Sequence, residues 1–334
     1  MRISDMRRGL FGLVLGAVAL MASPYLSEAA APVPVATTAD EFATAERAFR
    51  DGHVANGIET LEAAARRGGI RAQLRLAKLY AEGKLVPRDD VKACELFGAL
   101  ADRHSQIDRT DAAAKLIAEA FRSWAMCYVH GAAAPGWEKN VSRAAVLFYQ
   151  AGVMLDDPES LYELAKMYLT GQGISQNPRL AVHYFFSAAR KRFAPAQAML
   201  GSLMYEGRVL KRQNINGLAL MMLALDGAKP DEKPWIDRVY QDALLTASRE
   251  DESQAQRLAQ EWKRAYEADT TGSTPQLLAN PSAVPPPVRA PGAPPATQIG
   301  SRQPAGGPNR NVEQNEFNTM PTGASVPPAA SPVE

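Results

Sequence analysis

Four histidines are the side chains of this sequence best suited to bind metals or to transfer protons near neutral pH. None of them has a second histidine or a cysteine at metal-site spacing. They are His53, His104, His130 and His183. A glycine pair at 171 and 173 lacks the third glycine of a dinucleotide-binding turn. The sequence therefore predicts no metal site and no cofactor.

Two adjacent carboxylate pairs, Asp89–Asp90 and Asp156–Asp157, could in principle act as general acid and base. Both precede predicted helices, where acidic residues cap the backbone and favour the helix dipole without any catalysis. The chain also lacks a nucleophile elbow, a phosphate loop and a zinc-protease motif. We therefore expect a protein that is not an enzyme.

The overall charge excludes a further class of function. The chain has 334 residues with 37 Lys and Arg against 36 Asp and Glu, and 46% of its residues are hydrophobic. That balance offers no basic excess to neutralise a phosphate backbone, so nucleic acid is not an expected partner. Beyond residue 30 no apolar run approaches the ~20 residues of a membrane-spanning helix.

The first 29 residues have the layout of a secretory signal peptide. Arg2, Arg7 and Arg8 precede an apolar run over residues 9–22, and small residues lead to a predicted cleavage after Ala29. An uncleaved anchor is the alternative, but a run of 14 residues is short for one. We therefore expect a periplasmic chain whose mature form has 34 basic and 34 acidic residues, with no membrane span.

Four segments of the chain align with one another. Each reads large apolar, small, any, apolar, Tyr or Met, two variable residues and Gly, over residues 76–83, 124–131, 164–171 and 200–207. The apolar positions fall on one helical stripe, and the small residue permits close approach of a neighbouring helix. The glycine is typical of a helix end that requires positive φ.

A second periodic block follows each of these glycines, with a small residue, a large one four positions later and a small one at eight. The four blocks are Ala93, Phe97 and Ala101; Ala144, Phe148 and Gly152; Ala181, Phe185 and Ala189; and Ala219, Leu223 and Gly227. A weaker unit is readable from Phe49 to Ala65. The pattern predicts an all-α solenoid of about five helix-turn-helix units over residues 39–229, after a linker at 30–38.

The C-terminal third divides into two parts. Residues 230–268 predict two helices, the second capped by Ser248, that cover the open apolar face of the last repeat. Residues 269–334 hold 14 of the 24 prolines, and such a composition predicts a disordered tail.

The order of these motifs resembles the Sel1-like repeat, a relative of the tetratricopeptide repeat, over roughly residues 55–228. Residues 158–193 match best. The second aligned unit departs from the pattern, since an insertion at 102–111 precedes its first helix and residues 132–140 replace a short loop. We therefore expect irregular stacking between units one and two.

The two cysteines, Cys94 and Cys127, both occupy apolar repeat positions on consecutive helices. They could be two small buried hydrophobic residues, or a disulfide, because the expected compartment is oxidising. The sequence does not give the separation of their Cα atoms, so both alternatives stay open.

The resemblance implies a concave face built by the first helix of each unit, because the tetratricopeptide positions that line such a groove can be carried over. This predicts a protein-binding surface whose mixed charges and hydroxyls suit a protein or peptide ligand. The predicted residues are Lys78, Glu82, Arg122, Met126, His130, Tyr162, Lys166, Thr170, Ser202, Tyr205 and Glu206.

The order of parts, especially residues 217–225 leading into 233–236, also resembles the exopolysaccharide-production negative regulators. That resemblance implies an exported protein that binds the periplasmic domain of a sensor histidine kinase and holds it inactive. The Pro-rich tail is not expected of that family. The alternatives are a scaffold for cell-envelope assembly or, less favoured, an envelope-acting hydrolase.

Overall fold

The computed structural model of the protein describes residues 35–132 and 137–268. Over these ranges every regular element is helical and no strand occurs, so the predicted all-α class is confirmed. The elements are α1 (Val35–Arg50), α2 (Val54–Arg66), α3 (Ile70–Glu82), α4 (Asp90–Arg103), α5 (Ala114–His130), α6 (Val141–Tyr149), a π-helical turn (Gln150–Met154), α7 (Pro158–Thr170), α8 (Pro178–Arg190), α9 (Ala194–Glu206), α10 (Asn214–Gly227), α11 (Lys233–Leu244) and α12 (Arg249–Ala268). The predicted signal peptide and Pro-rich tail lie outside the described residues.

The helices pack as successive hairpins, as the repeat pattern predicts. An N-terminal unit (α1 and α2) is followed by unit one (α3 and α4), unit two (α5, α6 and the π-helical turn), unit three (α7 and α8) and unit four (α9 and α10). α1 begins at Val35, a few residues before the expected boundary at 39. One continuous apolar core runs from Leu74 to Tyr266, and a smaller cluster joins α1, α2 and α3.

The first helices of units one to four end at the predicted glycines, all of which have positive φ. Gly171, for example, has φ 76° and its N–H donates to the carbonyl of Met167, which ends α7 in a left-handed cap. The same backbone hydrogen bond then closes all four loops, since the residue before each second helix donates to the carbonyl of the repeat Tyr or Met. The pairs are Asp89 to Tyr80, Asn140 to Tyr128, Asn177 to Tyr168 and Gln213 to Met204.

The predicted capping residues perform that role. The Asp157 carboxylate accepts from the N–H of Ser160 at 2.9 Å, and the Asn177 side chain accepts from Leu180 at 3.1 Å. Each begins a helix whose first residue is proline, which has no N–H to satisfy there. Asp89 caps α4 in the same way, through the N–H of Lys92.

Small residues bring the helices of a unit close together. A Cβ atom on Gly201 would lie 2.7 Å from the carbonyl oxygen of Gly217, so the α9–α10 contact requires glycine. The small position of α10 at Gly227 does not follow the pattern, because this residue is exposed and nothing lies within 4 Å of its Cβ position. The expectation that Gly227 belongs to the packing stripe is wrong, because α10 ends there.

Unit two differs from the other units in two places. Residues 104–113 separate α4 from α5, and α6 continues into the π-helical turn, which sequence reasoning did not predict. A Cβ atom on Gly152 in that turn would lie 2.9 Å from the backbone nitrogen of Leu161. The missing side chain of Gly152 therefore lets the end of this helix pack closely on α7.

The two C-terminal helices lie on unit four. α11 packs against α9 and α10, and α12 packs against α10. Ile236 of α11 and Ala255 of α12 are fully buried, while Trp262 and Tyr266 lie in the main core. The N–H of Asp251 donates to the Ser248 hydroxyl at 3.0 Å, which is the predicted cap of the second of these helices.

Candidate partner-binding face

Ion pairs join the first helices of the N-terminal half. Arg75 of α3 pairs with Glu46 of α1 at 2.7 Å, and Lys78 of α3 pairs with Glu119 of α5. The corresponding ion pairs between α5 and α7 are made by Arg122. The predicted face residue Lys78 is therefore already paired with Glu119, and its side chain is only partly exposed.

Arg122 is the most enclosed charge of this series. Its Nη1 lies 2.8 Å from Oδ1 and 2.9 Å from Oδ2 of Asp157, and its Nη2 lies 3.4 Å from Glu159. Only 19% of the Arg122 side chain is exposed. Desolvation alone would lower the pKa of Arg122, but the attraction of Asp157, Glu159 and Glu119 outweighs it, so the pKa is raised. Arg122 thus holds α5 to α7 more than it presents a charge to solvent.

Tyr162 links α7 to the turn before α9. Its ring centroid lies 5.7 Å from that of Phe185 and 5.5 Å from that of Phe193. Burial raises the pKa of its phenol, with a further contribution from Glu163. The Lys166 ammonium lies 5.1 Å from the Tyr162 ring and bonds Glu163 at 2.9 Å, yet 45% of the Lys166 side chain is exposed.

The expectation that Tyr205 faces solvent is wrong, since it is only 6% exposed. Its hydroxyl lies 2.9 Å from that of Thr246, just beyond the end of α11, and the Arg212 guanidinium lies 5.5 Å from its ring. The return of the chain after unit four covers this position. Arg212 and Thr246, which complete the site around Tyr205, carry no repeat signal that would identify them from sequence.

The remaining predicted residues reach solvent. His130, Thr170, Glu206 and Glu82 are exposed, and Met126 and Ser202 are partly exposed. The Ser202 hydroxyl donates to Glu206 at 3.0 Å, and Thr170 donates to the carbonyl of Lys166. We call the solvent-facing set the first-helix face; it comprises Glu82, Met126, His130, Lys166, Thr170, Ser202 and Glu206.

The first-helix face carries carboxylates, an ammonium, an imidazole, hydroxyls and a thioether, without a reactive cluster. Across residues 35–132 and 137–268, no group of three or more His, Cys, Asp or Glu side chains is placed to hold a metal ion. In the same ranges, no helix is both long and apolar enough to cross a membrane. The arrangement suits reversible polar contacts with another molecule.

Cys94 of α4 and Cys127 of α5 are bonded as a disulfide in the structure, with their Cα atoms 6.0 Å apart. Cys94 lies near the start of α4 and Cys127 near the end of α5. The bond therefore joins units one and two across the insertion, beside Met126 of the first-helix face.

A family model described as Sel1 repeat matches residues 70–105, 158–192 and 194–226. The chain contains Sel1 repeats. The matched Sel1 repeats correspond to units one, three and four, whereas unit two, with its insertion and π-helical turn, lies outside them.

Two curated relatives resemble the chain well beyond the Sel1 repeats. An exopolysaccharide production negative regulator of Rhizobium leguminosarum bv. viciae is 28% identical over 212 residues, covering 64% of this chain and 77% of the relative. Its namesake from Rhizobium meliloti (strain 1021) is 26% identical over 204 residues, covering 61% and 74%. The resemblance predicted from the sequence is thus confirmed.

Solved structures with Sel1 repeats support the fold alone. A protective antigen of uropathogenic Escherichia coli displaying an SLR fold matches with a TM-score of 0.55 and 17% identity, covering 71% of this chain. This chain spans half the length of that antigen. A Sel1 repeat protein from Oxalobacter formigenes matches with a TM-score of 0.52 and 18% identity, covering 69% of this chain and 90% of that one.

Proposed function

We propose that the chain is a periplasmic negative regulator that binds the periplasmic domain of a sensor histidine kinase controlling exopolysaccharide production. It acts by binding rather than by catalysis. The observation that carries the proposal is the similarity to two relatives named exopolysaccharide production negative regulator, which extends over 64% and 61% of this chain. The N-terminal signal layout supports the periplasmic location.

The first-helix face is the proposed contact surface. Lys166 and Thr170 lie one helical turn apart on α7 and both reach solvent, so they offer a charge and a hydroxyl to a partner. Arg122 and Tyr162 support this face from beneath, because their side chains pack inside the fold.

The test is capture of the partner by the full chain, expressed with its natural N-terminus and an affinity tag. We expect envelope extract to yield a sensor histidine kinase, and the purified periplasmic domain of that kinase to bind directly. Lys166→Glu combined with Thr170→Ala should weaken this binding, whereas Glu95→Lys, a charge reversal on an exposed position of α4, should leave it unchanged.

Three results would overturn the proposal. Capture of the peptidoglycan machinery in place of a kinase favours the scaffold. Turnover of an envelope polymer or peptide by the purified chain favours a hydrolase. Recovery of the chain from the cytoplasmic fraction only would contradict the periplasmic location.

A further inference from the structure

Charged residues are unevenly distributed between two edges of the described structure, although the chain as a whole is nearly neutral. The hairpins have two edges: the loops inside the units lie at one, and the turns between the units lie at the other. We call the first the loop edge, formed by residues 83–90, 131–132 with 137–143, 171–179 and 207–214. The turn edge comprises residues 67–69, 104–113, 155–157, 191–193 and 228–232. Residues 51–53 form the loop inside the N-terminal unit and are counted in neither set.

Three observations define the loop edge, and two of them link the loops of units one, two and three. The common loop-closing hydrogen bond fixes the start of each second helix beside the last turn of the first. The Cys94–Cys127 bond joins the start of α4 to the end of α5, which sets the loops of units one and two at the same edge. The Ser142 hydroxyl donates to the carbonyl of Gly173 at 2.7 Å, so the loops of units two and three touch.

Basic residues dominate the loop edge. It holds eight Lys and Arg against three Asp and Glu, a net charge of +5, and the bordering Glu82 and Glu206 reduce this to +3. The turn edge holds five basic and six acidic residues, a net charge of −1. The basic set is Lys84, Arg88, Lys139, Arg143, Arg179, Arg208, Lys211 and Arg212.

These charges are accessible. The Arg88 and Arg208 side chains are 66% and 80% exposed, and each pairs with one carboxylate on its own loop or helix end. Lys84, Lys139 and Lys211 are exposed and lie outside the ion pairs described above. Surface pairs of the Arg88 type contribute little to stability, so these guanidinium groups can exchange their partner at small cost.

Apolar side chains lie among the cations. Leu85 is 37% exposed, and Trp137, Ile174, Val209 and Leu210 are partly exposed in the other three loops. A partner with carboxylates alone would match the basic residues of the loop edge. The exposed apolar side chains also favour a partner that has apolar side chains. A peptide carries both groups as side chains. An acidic polysaccharide carries carboxylates but no apolar side chains.

We propose that the loop edge is a docking surface for an extended acidic segment of a partner protein that alternates carboxylates with apolar side chains. This inference rests on the proposed function, in which the chain works by binding a protein. Adjacent units are about 10 Å apart, so the four loops extend over about 30 Å. An extended segment of about nine residues covers that distance.

The test uses the full chain and a fluorescein-labelled peptide of repeating Glu-Glu-Leu, with binding followed by anisotropy. We expect the wild type to bind this peptide and not the matching Lys-Lys-Leu peptide. Combined Lys84→Glu, Lys139→Glu and Lys211→Glu should weaken binding at least about 10-fold, because charge complementarity is reversed along the edge. Circular dichroism checks that the variant remains helical.

The matched control reverses three exposed charges away from the loop edge, with Arg71→Glu, Arg109→Glu and Lys115→Glu. It changes the net charge by the same amount, so we expect less than about a 3-fold effect. Equal losses in the two variants, or no binding by the wild type, would overturn the inference. Tighter binding of labelled polygalacturonate, lost in the loop-edge variant, would overturn it in favour of a polysaccharide.

Capture of the kinase domain separates this inference from the proposed function. If the wild type and the loop-edge variant capture that domain equally, the docking surface is refuted while the regulator survives. If the wild type captures no kinase but binds the acidic peptide through the loop edge, the docking surface stands and the proposed partner does not.

Discussion

Arg122 on α5 and Asp157 at the start of α7 lie in contact, with one guanidinium nitrogen 2.8 and 2.9 Å from the two carboxylate oxygens. Asp157 also accepts from the N–H and the hydroxyl of Ser160, so it caps α7 while it binds α5. A single carboxylate therefore couples the start of a repeat to the preceding unit. This junction joins unit three to unit two, the unit that departs most from the repeat pattern.

We predict that Arg122→Ala lowers the free energy of unfolding by about 2 to 3 kcal/mol, because it leaves a carboxylate that is only 13% exposed without its counter-charge. Urea unfolding measures this loss. The control is Arg208→Ala, since Arg208 is 80% exposed in its pair with Glu206 and should contribute less than about 0.5 kcal/mol. Similar losses in the two variants would contradict the structural role of Arg122.

The elements that sequence predicts well here are those set by local chemistry. A helix end that needs positive φ requires Gly171 within its own turn, and Asp157 caps a helix that begins at the next residue. Both requirements act over a few residues, so the pattern reveals them without knowledge of the rest of the fold.

The candidate face is less predictable, because solvent access depends on distant parts of the chain. Tyr205 occupies a groove position of its repeat, yet Thr246, far along the chain, covers it. From its repeat position, Arg122 is likewise predicted to be a surface charge. In the fold, Asp157 at the start of α7 pairs with it. The close packing of the π-helical turn on Leu161 is likewise not predictable from the local sequence, because it is a tertiary contact.

The disulfide leads to a second prediction, on the joint between units one and two. Cys94 and Cys127 are 33 residues apart, and closing a loop of this length in the unfolded chain stabilises the folded state by about 2 to 4 kcal/mol. Replacing both cysteines by alanine should lower the midpoint of urea unfolding accordingly. Mass measurement after alkylation without reductant should detect no reactive thiol in the exported wild type; two alkylated cysteines would contradict the bond.

Close helix contact leads to a third prediction. Gly201→Ala should destabilise the protein by about 1 to 3 kcal/mol, since its Cβ would lie 2.7 Å from the backbone oxygen of Gly217 and 2.9 Å from Met221 Cγ. Gly227→Ala is the control, because nothing lies within 4 Å of that Cβ position and the φ of Gly227 is not positive. Thermal unfolding compares the two, and a loss in Gly227→Ala as large as that in Gly201→Ala would contradict this account of the α9–α10 contact.

The last prediction concerns alkaline pH and Tyr184 of α8, which is 6% exposed and packs 5.7 Å from the Tyr168 ring. Burial raises the pKa of its phenol, and Tyr168 and Tyr149 add to the shift. An unfolded tyrosine has a pKa of about 10, so the stabilising contribution of the neutral phenol is intact below that pH. It is lost as the pH rises from about 10 towards the higher pKa of the folded state, by at most about 1.4 kcal/mol per pH unit.

Tyr184→Phe should therefore make the free energy of unfolding less dependent on pH above about 10. A comparison of the two proteins at pH 7 isolates the effect of losing the hydroxyl. An identical pH slope in wild type and variant, measured by urea unfolding, would show that Tyr184 ionises as readily in the folded chain as in the unfolded one.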